Sequence, residues 1–297
     1  MQIKNGTDLL DLCAEKNLSL HQIILLYESE KTGKTPEEIK RLMANNLQVM
    51  KKSAYQGLEE DTTFQGKIIG EQGKKMRRRY QRVQPVCGFT MARAVSFALS
   101  VTEANASMGR IVASPTAGSC GVLPGVLFGL AESHQISEEK LVEGLFTAGA
   151  IGLVIAKNAS LSGAEGGCQA EVGSASAMGA AAVVEIMGGT PTQALHAGAI
   201  SLKNLLGLVC DPIAGLVEAP CSKRNAVGTA NALVAAEMAL AGIASVIPFD
   251  EVVEAMYRVG NSMPCALRET AEGGLAATIT GQRLKQEIFH HSIEEKE

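Results

Sequence analysis

The sequence predicts an all-α fold, and three observations carry that expectation. Helix-start signals recur along the chain, strand signals are nearly missing, and the apolar content comes from small and aliphatic residues. Hydrophobic residues fill 46% of the 297 positions while aromatics fill only 4%, without a tryptophan, so Ala, Val, Leu, Ile and Met must build the core. Such side chains, with 31 glycines, suit helices that approach closely. No Val/Ile/Thr/aromatic alternation stands beside hairpin turns, so no sheet is expected. The length permits one large domain or two modest ones.

The elements follow in order. Thr7 is placed to cap a helix over residues 8–15, and Ser19 to cap another over 20–27. Thr35-Pro36-Glu37-Glu38 combines an N-cap, a proline at the first helical position and a glutamate at the third. The helix it opens carries Ile39, Leu42, Met43, Leu47 and Met50 on one face. Between Gly57 and Gly88 the pattern weakens into a polar, basic linker that contains the run from Lys74 to Arg82. With a net charge of −4, that run reads as a solvated face or a basic surface for an acidic protein, not as a nucleic-acid patch.

From about Gly88, Ala/Gly/Leu-rich helical runs alternate with Gly/Ser/Asn loops. Ser137 opens a helix towards Lys157, and residues 173–187 read as a nearly uncharged buried helix closed by Gly188-Gly189. Thr190-Pro191-Thr192-Gln193 launches a helix to about Leu206, residues 223–241 form another, and Asp250 caps one over 251–259. The expected organisation is a helical N-terminal region and linker over 1–87, packed on a compact Ala/Gly-rich helical domain over 88–297.

The N-terminus has no apolar signal core, and the weakly charged stretch from Ile111 to Ala131 is broken by Ser114-Pro115-Thr116-Ala117-Gly118-Ser119, Gly121 and Pro124. A cytoplasmic protein without membrane spans is expected, so its seven cysteines require an account other than structural disulfides. Cys13 and Cys87 read as buried small hydrophobes. Neither GxGxxG nor GxxxxGK[ST] occurs, and no NAD or nucleotide cofactor is expected.

Three loops are more specific than their surroundings. In the first, Ser114 to Gly121, the hydroxyls of Ser114, Thr116 and Ser119 and freed backbone N–H groups suit a carboxylate. The second runs from Lys157 to Glu171 and contains Asn158, Ser160, Glu165 and Cys168; the third runs from Cys210 to Asn225 and contains Cys221 and Arg224. Cys168, Cys210 and Cys221 sit in polar, glycine-bearing segments, and thiolates are soft ligands for iron and cuboidal clusters. No CxxC pair is present, so the residues alone leave three readings open: a shared metal or cluster, unrelated thiols, or a catalytic cysteine.

The segments Ser114–Ser119, Asn158–Ala164, Gly167–Gly173 and Glu218–Ala226, with Met263-Pro264-Cys265-Ala266-Leu267-Arg268-Glu269-Thr270 and Gly273–Ala276, resemble the α chain of bacterial iron-sulfur L-serine dehydratase. The likeness extends over essentially the whole chain. It implies a [4Fe–4S] cluster held by Cys168, Cys210 and Cys221, and β-elimination of water from L-serine to give pyruvate and ammonia. Three protein ligands leave one iron open as a Lewis acid, as at an open zinc site. It also implies a β subunit as partner, hence a hetero-oligomer. Some relatives cover the open iron with a C-terminal cysteine, which the tail from His290 to Glu297 lacks.

Ser114, Thr116, Ser119, Asn158, Ser160 and Arg224 are the substrate-binding candidates. The base is unassigned, with Lys157, Glu165 and Glu171 as weak candidates, while His196 reads as a helix-face residue and His134 as solvated. Cys120 and Cys265 are minor candidates for a fourth ligand. The competing readings are an iron-sulfur L-cysteine desulfidase, an L-threonine dehydratase, and a non-catalytic helical assembly subunit. A pyridoxal-phosphate enzyme is disfavoured, since its phosphate cup ordinarily belongs to an α/β fold and this sequence reads as helical.

Overall fold

Helices supply the regular structure, and the computed structural model describes residues 1–294, with side chains to residue 289. The residues from His290 onward, read above for their lack of cysteine, lie outside the described side chains. Among the described residues no strand forms, and the β-type pairings are isolated bridges, Gln65 with Gly70 and Cys210 with Arg268. The helices are α1 (Gly6–Lys16), α2 (Leu20–Thr32), α3 (Pro36–Gln56), α4 (Gln72–Arg82), α5 (Gly88–Ala106), α6 (Val122–His134) and α7 (Glu138–Asn158). They continue as α8 (Gly163–Gly166), α9 (Ser174–Ile186), α10 (Pro191–Lys203), α11 (Cys221–Leu240), α12 (Phe249–Ser262) and α13 (Ile279–Glu294). No helix among the described residues is long and apolar enough to cross a membrane.

Local signals set several of these ends. The Thr35 box forms as expected, with the Glu38 N–H donating to Thr35 Oγ1 at 3.2 Å and the Thr35 N–H donating to Glu38 Oε2 at 2.9 Å. Thr190 and Gln193 repeat it at the start of α10, which stops at Lys203, short of Leu206.

Other ends are set against expectation, one by a neighbouring residue and one by a distant partner. Asn5, not Thr7, caps α1 through its side chain, accepting from the Asp8 N–H at 2.8 Å. Asp250 does not cap its own helix. It reaches across to α1 and accepts from the Gly6 N–H at 2.6 Å and the Thr7 N–H at 3.1 Å. Those otherwise orphaned donors attract a carboxylate, helped by the positive end of the helix dipole.

The supposed linker also departs from expectation. The basic run forms α4, whose first N–H groups, from Gln72 and Gly73, donate to the buried Glu103 of α5. Lys74 is buried, its ammonium donating to the Thr62 and Glu60 carbonyls. A charged, polar segment thus folds because its polar ends find partners on the core. Cys87, expected to be buried, is exposed.

Small residues let the central helices meet. α9, lined by buried Ala175, Ala177, Ala180, Ala181 and Ala182, packs on α6, α7, α10 and α11. At the crossing of α5 and α6, a Cβ on Gly129 would lie 2.6 Å from the Ala94 Cα, so any side chain there would push the backbones apart. Tyr55, Phe97 and Phe128 form a small aromatic cluster where α3 joins them, with ring centroids 4.7 to 5.9 Å apart. α2 and α3 pack on α7, so the hydrophobic core includes residues from Ile3 to Met256.

Candidate metal centre

The site grows from the break between α7 and α9. After the single turn of α8, Gly167 takes φ 74°, and Gln169–Gly173 form a π-helical turn leading into α9. A side chain at Gly167 would suffer both the left-handed backbone and the Leu208 carbonyl, 2.9 Å from its Cβ. Gln169 pins this bend to its surroundings: its backbone N–H donates to Leu208 O, its Nε2 donates to Met256 O, and its Oε1 accepts from the Gly207 N–H, each at 2.9 Å. Cys210 is pinned in turn, its N–H donating to Leu267 O at 2.9 Å and its carbonyl accepting from the Glu269 N–H at 2.7 Å.

These pins bring the ligand atoms of Cys168, Glu171 and Cys210 within 4.8 Å of one another, all three residues buried. The Cys210 thiol donates to Cys168, which lowers the Cys168 pKa and raises that of Cys210. Arg224 adds positive charge, its Nη1 lying 3.7 Å from Cys168 Sγ. That guanidinium is fixed by the Val209 carbonyl and by Asp211 Oδ1, both at 2.7 Å. Asp211 also accepts from the Leu275 N–H at 2.7 Å, which joins the loop before α13 to the same network.

Glu171 accepts from Thr116 Oγ1 at 2.7 Å. Burial outweighs that hydrogen bond and pushes its carboxyl up to about 7. Small residues make room for it: a Cβ on either Gly118 or Gly163 would stand 2.8 Å from its carboxylate oxygens. Cys221 opens α11 and is not in the close trio, but its buried thiol is pushed up to about 12 by burial and then by the charge of Cys168. Cys120 is buried and its thiol is pushed to about 12, mainly by burial. Cys265 is exposed.

The remaining sequence candidates separate. In the first loop, Ser119 contacts Thr116 and the Ser114 carbonyl, and Thr116 is engaged with Glu171, so those two hydroxyls serve the loop and the carboxyl; the Ser114 hydroxyl is buried without a partner. Lys157 donates to the Ile3 carbonyl and lies over the Tyr27 ring, and Asn158 donates to the Lys4 and Val154 carbonyls at 2.8 Å. Both tie down the N-terminus, outside the trio. Ser160 donates to Glu165 on the wall of a neighbouring cavity. His196 accepts from the Ser245 N–H at 3.3 Å, and His134 is exposed at the end of α6.

Sequence reading gave no role to Asp211 or Asn225. Asn225 fastens the first loop to α11, donating to the Gly118 and Cys221 carbonyls at 2.7 and 2.9 Å and accepting from the Gly121 N–H at 2.9 Å. Both residues stood inside the third loop, whose polar density was their signal. Beside the trio lies a cavity of about 560 Å3, lined by Glu165, Gln169, Asn261, Arg268 and Thr270 among others.

The donor set fits a soft metal centre. Two thiols share a hydrogen bond, a third is electrostatically linked to them, and a guanidinium favours the thiolate form that ligation requires. The family profile described as serine dehydratase alpha chain matches residues 15–276. The Bacillus subtilis probable L-serine dehydratase alpha chain is 51% identical over 99% of this chain and 98% of its own length. The Peptoniphilus asaccharolyticus L-serine dehydratase alpha chain is 45% identical over 97% of this chain and 98% of its own length. Escherichia coli L-serine dehydratase 2 is 37% identical over 93% of this chain, but the match covers only 61% of that longer protein.

Proposed function

This chain belongs to the serine dehydratase alpha chain family, and from that premise we propose that it converts L-serine to pyruvate and ammonia at an iron-sulfur centre. The observation that carries the reading is the convergence of Cys168, Glu171 and Cys210 from separate segments. Cys168, Cys210 and Cys221 would hold a [4Fe–4S] cluster, which supplies Lewis acidity towards the hydroxyl that leaves C3 of the substrate.

The chain's own groups prepare that chemistry. Arg224, held by Asp211, keeps Cys168 in a thiolate-favouring field. Glu171 shares the space of the thiols and is oriented by Thr116, which supports it among the candidates as the group that holds a proton during the elimination. The π-helical turn and the Gln169 pins keep these atoms on rigid backbone, limiting reorganisation during reaction. Elimination gives aminoacrylate, whose imine form hydrolyses to pyruvate and ammonium.

A companion β subunit is part of the proposal. It is supported by the alpha-chain names of the full-length relatives and by the greater length of the Escherichia coli one. The seven free cysteines support a cytoplasmic setting. The test is anaerobic reconstitution of the full chain, with its partner, using iron and sulfide. Iron and sulfide analysis and a pyruvate assay would follow, with L-threonine and L-cysteine as comparison substrates. Iron bound with turnover highest on L-serine is expected. A chain that takes up no iron, or that turns over L-cysteine far faster than L-serine, would overturn the reading.

A further inference from the structure

Arg224 stands beside the thiol cluster and Arg268 pairs its backbone with Cys210, yet among the described residues only the Arg224 side chain of the two has protein hydrogen-bond partners. Its guanidinium meets Asp211, Val209 O and Cys168. The Arg268 Nε is buried and has no hydrogen-bond partner, and among the described residues its side chain enters no ion pair. A buried guanidinium N–H without an acceptor is costly, and its natural complement is a carboxylate or phosphate.

The backbone holds Arg268 in place with some strain. Its bridge with Cys210 sets it next to a proposed ligand, while Glu269 and Ala271 adopt left-handed conformations at φ 64° and 56°, unusual for residues with side chains. Arg268 lines the cavity of about 560 Å3, a volume suited to a small molecule. Asn261 and Thr270 add polar groups to the same lining, and Glu165 supplies an opposite charge there. Gln169 is already committed to Met256 and Gly207, so it serves as wall. One cation, one anion and neutral donors around a small cavity match a zwitterion, an amino acid with a free carboxylate and a free ammonium.

We propose that Arg268 anchors the α-carboxylate of the amino-acid substrate in this cavity, with Glu165 facing its ammonium group. The inference rests on the dehydratase reading above and moves the carboxylate site away from the Ser114–Ser119 loop, where Thr116 is engaged with Glu171.

The test uses the anaerobically reconstituted full chain with its partner, and titrates L-serine and L-serinamide by calorimetry into the parent, Arg268→Gln and Arg268→Lys. Arg268→Gln should weaken L-serine binding by about a hundredfold, the scale of a lost bidentate charge pair. It should leave iron content and helical circular dichroism unchanged, and bring the affinities for acid and amide together. Arg268→Lys, which keeps the charge and loses the fork, should recover part of the loss.

Parent-like binding in both variants, or equal losses for L-serine and L-serinamide, would overturn the assignment. Should Arg268→Gln fail to fold, the lysine variant and the parent's own preference decide: a parent that binds the amide as well as the acid removes the anchor. A parent that binds L-serine through Arg268 but forms no pyruvate contradicts the proposed activity and leaves the anchor standing.

Discussion

Glu218 and Glu171 are buried to similar depth, at 4% and 7% exposure, in very different surroundings. Glu218 lies in the segment leading to α11 and accepts backbone N–H groups from Lys67, Ile68 and Ile69 at 3.0, 2.7 and 3.0 Å. Glu171 receives one hydroxyl, from Thr116, and otherwise faces thiols and glycines. The fold supplies a full set of donors where a carboxylate staples a loop, and withholds them at the candidate metal centre. What distinguishes a site from a staple is therefore the donor set, not depth of burial.

The comparison can be broken most severely at the thiols. Cys210→Ser should abolish the reconstituted centre and turnover together, whereas Cys87→Ser, on an exposed thiol, should preserve both. Iron and sulfide analysis after anaerobic reconstitution reads the outcome. Full iron content and turnover in Cys210→Ser would remove Cys210 from the donor set.

Glu171→Gln sharpens the contrast on the site side. It keeps the shape and the Thr116 contact but cannot accept the proton, so kcat should fall by roughly 10²–10⁴-fold. Iron content and thermal midpoint should hold, because a carboxyl whose pKa burial has pushed to about 7 is replaced by a neutral group. Unchanged kcat would reduce Glu171 to a packing role.

Glu218→Ala tests the staple. Three N–H groups, one buried and two part-buried, lose their acceptor, and the full chain should lose roughly 2–4 kcal/mol in denaturant unfolding. Turnover per loaded site should stay close to the parent's at a temperature where the variant is folded. A loss below about 0.5 kcal/mol would show that water replaces the carboxylate, within the range of ordinary surface changes.

The same division explains what could be read from sequence. The boxes at Thr35 and Thr190 were legible because cap and partner lie three residues apart. The further acceptor at the start of α1 and the one at the start of α4 were not, since Asp250 stands 244 residues from Gly6 and Glu103 reaches α4 from the next helix. No local pattern announces such a partner. At the site, cysteines among glycines and polar residues marked the chemistry, while their convergence depends on the Gln169 pins and the bridge between Cys210 and Arg268. Lys157 drew attention by adjacency to the second loop, and Asn158 as part of a resembling segment. α7 ends with their side chains turned to the N-terminal segment, partners that nearness in sequence does not reveal.

Glu103 falls between the two cases and gives the smallest effect. It is 1% exposed and accepts from two N–H groups, those of Gln72 and Gly73. Burial raises its pKa above 4.5, and the N–H groups, with Lys223 and Lys75, oppose the rise without cancelling it. The folded chain therefore holds this proton more tightly than the unfolded chain. The resulting stabilisation is fully present below the ordinary carboxylate pKa and is lost as pH climbs through the raised folded value. Glu103→Gln keeps one carbonyl acceptor and does not titrate in this range. The stability of the parent relative to this variant, from urea unfolding of the full chain between about pH 4 and about pH 8, should decline as pH rises. A difference that grows with pH would mean that two N–H donors already suffice to favour the ionised form, and would group Glu103 with Glu218 as a staple.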